Sequence, residues 1–352
     1  MLAVVFTQKD EFRLEEVKQP KPAAGQVLVK VRSTTICGTD VKILHGTVPM
    51  VVFPHIPGHE FGGEVAAVGA GVSRLPVGTK VGVEAHAGCG ECPRCSEGLY
   101  NLCENYGNHQ KGHAHIGFTV AGGLAEYCVV PARSVHPLPD GLDCDHGAFT
   151  DTVGIVLWAF ERAGGVQGGE NVVVVGPGAL GLLAVQIARA QGAGRVIAIG
   201  AASDRERLEL AGWMGADDVV VTDQDVNPAQ VVRDLTAGQG ADLVVEFAGT
   251  AEAGRHSLEM ARRGGRVVLG GATSPGQMLQ ADLSVIVRKH LDVFGSMANP
   301  RGISGRANLL MQTGLVDIQP LITHHCPLSE FPRAWEIFTG REEGVIRVML
   351  HP

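Results

Sequence analysis

Basic clusters, long apolar runs and a charged-then-apolar leader are all missing from this 352-residue chain. Lys and Arg number 29 against 37 Asp and Glu, a formal net charge of −8, and the cations are not gathered into a patch. A nucleic-acid partner is therefore not expected. No run approaches the ~18 consecutive apolar residues of a membrane span, so a membrane partner is not expected either. The opening Met-Leu-Ala-Val-Val-Phe-Thr-Gln-Lys-Asp lacks the pattern of a secretory signal. With no such signal, the eight cysteines fit a reducing cytoplasm rather than a disulfide framework. Internal repeats and low-complexity segments are also absent. Only 19% of residues are charged against 45% hydrophobic, the balance of a soluble globular enzyme.

Glycine is plentiful: 48 residues, about twice the usual ~7% share. That implies many tight turns and close backbone approaches, as in α/β folds with loop-built sites. The length favours two domains. The first ~150 residues read as short strands broken by Gly and Pro, at 26–31, 64–68, 80–83 and 125–130. Near Asp151 the texture changes. Apolar residues recur at helical spacing over 153–163, and Asn171-Val-Val-Val-Val-Gly176 reads as a buried parallel strand. Strands at 195–199, 218–222, 243–247, 266–270 and 291–295 then alternate with helices at 180–191, 204–214, 229–235 and 253–261. The alternation predicts a doubly wound parallel sheet. Helices at 303–312 and 328–339 and a strand at 345–350 are expected to fold back onto the first domain.

Cys89, Cys92, Cys95 and Cys103 form a C-x2-C-x2-C-x7-C run. This spacing converges four sulfurs on one tetrahedral ion, and a closed four-thiolate shell leaves no position for substrate. The run reads as a structural zinc lobe at 86–106.

Gly176-Pro-Gly-Ala179-Leu180-Gly181 is G-x-G-x-x-G set between a buried strand and a helix. The glycines allow a tight turn, backbone approach to a pyrophosphate, and close helix–strand packing. The helix N-terminus offers free N–H groups to the phosphates. After the second strand no acid stands where the 2′-hydroxyl of NAD would be held; Asp204 reads as the N-cap of the next helix. Ser203 and Arg205 are candidate partners of a 2′-phosphate. The reading favours NADP over NAD, with Arg205 and Arg207 as plain solvated residues the alternative.

Cys37 in Ile-Cys-Gly-Thr-Asp-Val and His59-Glu60 in Pro-Gly-His-Glu-Phe-Gly-Gly supply a thiolate, an imidazole and a carboxylate in glycine-flanked loops. Together they are the donors of an open zinc site able to stabilise an alkoxide.

The stretch Gly58-His59-Glu60-x2-Gly63-x5-Gly69-x2-Val72 resembles the signature of zinc-containing alcohol dehydrogenases of the medium-chain dehydrogenase/reductase superfamily. The cysteine lobe, the Cys-Gly-Thr-Asp loop and the glycine turn fall in that family's order across nearly the whole chain. The resemblance implies a β-rich GroES-like catalytic domain (1–152 and 299–352) and a Rossmann nucleotide-binding domain (153–298). It implies two zincs per chain, a cleft between the domains, and a homodimer or homotetramer. It implies reversible oxidation of a small secondary alcohol or polyol by hydride transfer to NAD(P). Cys37 and His59 are then catalytic zinc ligands, with Glu60 a ligand or near-ligand. Where simple alcohol dehydrogenases carry a second cysteine, this chain has Phe149-Thr150-Asp151-Thr152, which resembles the polyol and threonine dehydrogenase branches. Asp151 is accordingly a fourth ligand or water-bridged neighbour; the alternative is that it caps the following helix.

By the same resemblance Asp40 orients His59, Thr39 takes the alcohol proton, and Arg347 reaches the pyrophosphate unless it is a plain strand-edge arginine. The chain departs from the family at Lys42, where a relay histidine is often found; His45 is a substitute or an ordinary surface residue. His45, Phe118 and Trp158 are pocket candidates. Two other readings stand beside this one. A zinc-free, quinone-reductase-like NADPH oxidoreductase would lack the Cys37/His59/Glu60 set and the lobe. A non-enzymatic NADPH-binding protein of the same fold would be expected to have lost a ligand.

Overall fold

The computed structural model describes residues 1–223, 225–273, 276–341 and 344–352. The chain is α/β and divides into two units. One holds residues 1–154, 298–314 and 318–352; the other holds 155–297 and 315–317.

The first unit opens with the hairpin β1 (Leu2–Gln8) and β2 (Glu11–Glu16). β3 (Gln26–Thr35) leads through Cys37 into α1 (Gly38–Leu44), and β4 (Phe61–Val68) starts immediately after His59-Glu60. β5 (Lys80–Val83), β6 (His86–Ala87), α2 (Pro93–Ser96), β7 (Ala114–His115), β8 (Tyr127–Pro131) and β9 (Val135–Pro137) follow, then α3 (Cys144–Arg162), whose residues up to Gly154 belong to this unit and the rest to the second. β4 runs from Phe61 where the periodicity marked only 64–68, because Phe61 is itself fully buried on the strand's inner face. Val27, Val29, Val31, Phe61, Val65, Val81 and Val83 form one buried cluster on alternating strand positions. Each such side chain contributes roughly 1.5–3 kcal/mol relative to exposure.

In the second unit six parallel strands order as β12–β11–β10–β13–β14–β15. They are β10 (Asn171–Val175), β11 (Arg195–Ala201), β12 (Asp218–Thr222), β13 (Ala241–Glu246), β14 (Ala261–Leu269) and β15 (Asp292–Gly295). Between them run α4 (Ala179–Ala190), α5 (Arg205–Trp213), α6 (Pro228–Leu235), α7 (Ala251–Met260) and α8 (Leu283–Lys289). β10 is central, paired with β11 and β13, and Val172, Val173 and Val174 are inaccessible or nearly so. That is the expected fate of a four-valine run buried on both faces.

The chain then re-enters the first unit with α9 (Ile303–Gln312), β16 (Ile322–Pro327), α10 (Phe331–Gly340) and β17 (Arg347–His351). β17 lies between β16 and β3 in a sheet ordered β16–β17–β3–β4–β5–β9. The last helix starts at Phe331 rather than 328, because Pro332 takes a first-turn position after a short 3-10 turn. α3 begins seven residues before Asp151, so Asp151 sits inside the helix and does not cap it. Weak helix formers conceal that start in the sequence. Gly147 is one of them, and a Cβ there would stand 2.8 Å from the Val81 carbonyl oxygen and 3.0 Å from the Gly62 Cα, so packing against β4 and β5 demands it.

Candidate metal centres and nucleotide turn

Two loops deliver the first centre. Cys37 is the N-cap residue of α1, and its N–H donates to Asp40 Oδ2 at 2.8 Å, which fixes the loop. His59 and Glu60 precede β4, where the strand runs so close to its surroundings that only glycine fits. A Cβ on Gly63 would stand 2.1 Å from the Lys30 carbonyl oxygen, and one on Gly69 1.7 Å from that of Ala23. The donor atoms of Cys37, His59 and Glu60 come within 4.8 Å of one another.

The surroundings of these donors are polar and ordered. Asp40 Oδ1 faces His59 Nδ1 at 3.5 Å, leaving Nε2 as the outward nitrogen. Glu60 Oε1 accepts from Arg347 Nη2 at 2.8 Å, and Glu60 Oε2 accepts from Thr35 Oγ1. Burial disfavours a charged His59, yet Asp40 and Cys37 outweigh it and hold its pKa well above the ordinary value. The site thus recruits positive charge, which is what a cation site requires of its donors. Thr39 Oγ1 lies 3.8 Å from Cys37 Sγ.

Asp151 is buried beside this trio but outside its 4.8 Å circle. Its Oδ1 accepts from the Ala85 N–H at 3.2 Å and from Asn299 Nδ2 at 2.9 Å. Burial, reinforced by Glu84, pushes its pKa up to about 7 despite Ala85 and His59. His45 is elsewhere: exposed, with Nδ1 2.5 Å from Asp10 Oδ1. Phe118 is at the trio, its ring 5.0 Å from that of His59. Trp158 lies in the second unit under the Arg162 guanidinium.

Several neighbours carried no legible sequence signal. Glu84 is wholly buried, its Oε2 taking Ser304 Oγ at 2.6 Å and facing His136 Nε2 at 3.0 Å. A column of rings runs outward from the trio. Phe118 stacks on His115 at 3.6 Å, and His115 on His86 at 4.0 Å, its partner across the β6–β7 pair. Burial pushes His86 down to about 3 and His113 to about 4, and holds His115 well below the ordinary value. The alternation His113-Ala-His115 was the one available hint, a strand pattern.

The second centre is the cysteine lobe. All four thiols are free, and their sulfurs lie within 4.8 Å of one another. Cys89–Cys95 and Cys92–Cys103 are each 3.9 Å apart, close to the ~3.8 Å edge of a zinc tetrathiolate with ~2.3 Å bonds. Cys89 Sγ accepts from Asn105 Nδ2 at 3.3 Å and from the N–H groups of Glu91 and Cys92. Burial opposes its ionisation, but these donors prevail and bring the thiol to about 6. Burial pushes Cys95 up to about 12. A cation is the missing compensation for a fourth thiolate, and the donor set fits zinc.

The nucleotide turn belongs to the second unit. Gly176 has φ +92°, and a Cβ there would meet the Ala248 nitrogen at 2.6 Å. A Cβ on Gly181 would stand 1.9 Å from the Gly176 oxygen. Gly178, by contrast, would meet nothing within 4 Å. The chain's own packing explains two glycines and leaves the middle one to something outside it. α4 begins at Ala179 and Leu180 with no side-chain cap, so its first N–H groups are available to an anion. These features fit a dinucleotide pyrophosphate. Gly200 near the end of β11 faces Pro177 of the turn. Ser203 and Arg205 follow, exposed; no acid stands between Gly200 and Ser203, and Asp204 is the N-cap residue of α5.

Comparison with known proteins agrees with this geometry. Residues 23–140 match the family model of the alcohol dehydrogenase GroES-like domain, and 179–308 that of the zinc-binding dehydrogenases. The chain is 34% identical to a sorbitol dehydrogenase of Halalkalibacterium halodurans, covering 100% of this chain and 99% of that one. It is 36% identical to an L-threonine 3-dehydrogenase of Bacillus licheniformis, over 96% and 94%. Among solved structures, a zinc-binding dehydrogenase from Sinorhizobium meliloti 1021 bound to NADP superposes with a TM-score of 0.88 at 32% identity, over 100% and 99%. The chain belongs to the zinc-containing alcohol dehydrogenases of the medium-chain dehydrogenase/reductase superfamily.

Proposed function

We propose that this enzyme interconverts a secondary alcohol or polyol and its ketone by hydride exchange with a nicotinamide dinucleotide, NADP in preference to NAD, with two zincs per chain. The observation that carries the reading is the convergence of Cys37, His59 and Glu60 beside a carboxylate, Asp151, in place of a second cysteine. Relatives that act on sorbitol and threonine support hydroxylated substrates over simple alcohols.

Zinc would supply Lewis-acid activation of the hydroxyl, and the nicotinamide would accept the hydride. Cys37 and His59 would hold the metal, with Asp40 fixing the imidazole. Glu60, restrained by Arg347 and Thr35, would act as an exchangeable or neighbouring ligand, and Asp151 as a fourth. Thr39 would receive the alcohol proton, and His45, exposed and paired with Asp10, would be an ordinary surface residue. Gly176, Gly178, Ala179, Leu180 and Gly181 would cradle the pyrophosphate; Ser203 and Arg205 would meet the 2′-phosphate. Arg347 is committed to Glu60, so any contact with the pyrophosphate would be shared with that pairing. The four cysteines would hold the structural zinc. Residues 1–152 and 299–352 would form the catalytic domain, 153–298 the nucleotide domain, assembled as a homodimer or homotetramer in the cytoplasm.

Elemental analysis, with kcat/KM for both cofactors over polyols, amino alcohols and simple secondary alcohols, tests this. Two zincs and a preference for NADP are expected. A zinc count of zero would refute the metal chemistry, and a roughly tenfold preference for NAD, about 1.4 kcal/mol, would overturn the cofactor assignment. Cys37→Ser should abolish turnover and spare cofactor binding, whereas Cys95→Ser should lower stability.

A further inference from the structure

Two histidines and an aspartate gather at another place in the first unit, sharing no residue with the catalytic trio or the cysteine lobe. Ligating atoms of Asp145, His325 and His351 lie within 4.8 Å of one another. β16 and β17 are parallel neighbours with Met349 opposite His325 and Pro327 opposite His351, so the two histidines are diagonal neighbours on one face. Their rings are parallel to within 4°, and His325 Nδ1 is 3.0 Å from His351 Nε2. Asp145 comes from the first turn of α3, with Oδ1 4.0 Å from His351 Nδ1.

We propose that Asp145, His325 and His351 form a third metal site, for a divalent ion of the zinc class. Two imidazoles with one carboxylate select zinc and its neighbours over magnesium or calcium, which prefer oxygen donors. Zinc with ~2.0–2.1 Å bonds places tetrahedral ligand nitrogens ~3.3 Å apart, against 3.0 Å between these two, and the exposed His325 ring must turn out of its edge-to-edge contact to aim its lone pair at the ion. The outer contacts are those of a prepared site. His351 Nδ1 lies 3.1 Å from the Arg32 carbonyl oxygen and can only donate to it, which leaves the Nε2 lone pair facing His325. Ser33 Oγ donates to Asp145 Oδ1, fixing the carboxylate. His325 is exposed and the other two are half-buried, so ions have access and a remaining position faces water. An ion here ties the helix that carries Asp151 to the strand that carries Arg347.

The test is a zinc titration of the holoenzyme against a competing chelator, with the bound ions counted by native mass spectrometry. The wild type should take up one zinc per chain more than His325→Ala, and Asp145→Asn should weaken that uptake by at least the roughly 10-fold that loss of an outer-shell partner causes. His325 is exposed, so its replacement leaves folding intact, which circular dichroism verifies. Equal uptake by wild type and His325→Ala, the result expected of a simple N–H···N bond between the rings, would overturn the proposal, as would an extra ion indifferent to both substitutions. The quantity read is a difference between variants, so it holds whatever the count at the other two centres.

Discussion

Arg347 and Glu60, 287 positions apart in the chain, pair through Nη2 and Oε1 at 2.8 Å with side chains only 8% and 6% accessible. The contact exists because β17 inserts beside β3 and brings this strand to the loop that carries His59 and Glu60. Thr35 Oγ1 holds the other carboxylate oxygen, so both acceptors of Glu60 are engaged. The pair sets where a negative charge sits relative to the trio.

Arg347→Ala should therefore leave a buried carboxylate without its cation, at a cost of about 3–5 kcal/mol. Thermal unfolding checks this, and kcat should fall with stability because Glu60 is free to move toward Cys37 and His59. An unchanged melting temperature would show that the pair is dispensable.

The three glycines of the nucleotide turn should separate cleanly. Gly181→Ala drives a Cβ into the Gly176 oxygen and should impair folding. Gly178→Ala meets no protein atom, so its melting temperature should match the wild type while the cofactor KM rises. Wild-type cofactor affinity in Gly178→Ala would mean that the turn approaches no ligand.

The buried, neutral His86 and His113 predict acid sensitivity. Folded-state pKa values of about 3 for His86 and about 4 for His113 lie below the unfolded value of about 6.5. Between those limits the unfolded chain binds more protons than the folded one, so stability is complete above pH ~6.5 and falls as pH drops toward 4. Each such histidine adds a slope of up to ~1.4 kcal/mol per pH unit. Urea unfolding from pH 8 to 5 should show the decline, and His113→Gln should lessen it. Identical slopes for the two proteins would remove His113 from the account.

The parts of this molecule legible in the sequence are those set by local rules. Valine runs bounded by glycine announced the central strands, spacing announced the cysteine lobe, and the strand-to-helix setting announced the glycine turn. Cys37 and His59-Glu60 became readable as a set only through their order beside those motifs. What stayed hidden depends on distant pairing. Neither Glu84 with Ser304 nor Arg347 with Glu60 leaves a local trace, since each joins segments more than two hundred residues apart. The start of α3 was hidden for another reason: Gly147 opposes helix locally while contact with β4 requires it.

Gly63 and Gly69, where any side chain would strike a backbone oxygen of a neighbouring segment, bear on how this family is recognised. Both belong to the pattern that surrounds His59 and Glu60, yet their presence is enforced by crowding rather than by chemistry. Selection for a folded chain alone would preserve them after the metal donors had gone. A descendant that has exchanged Cys37 and His59 for inert residues would thus keep much of the family's fingerprint, and the donors themselves must be counted before catalysis is inferred from the match.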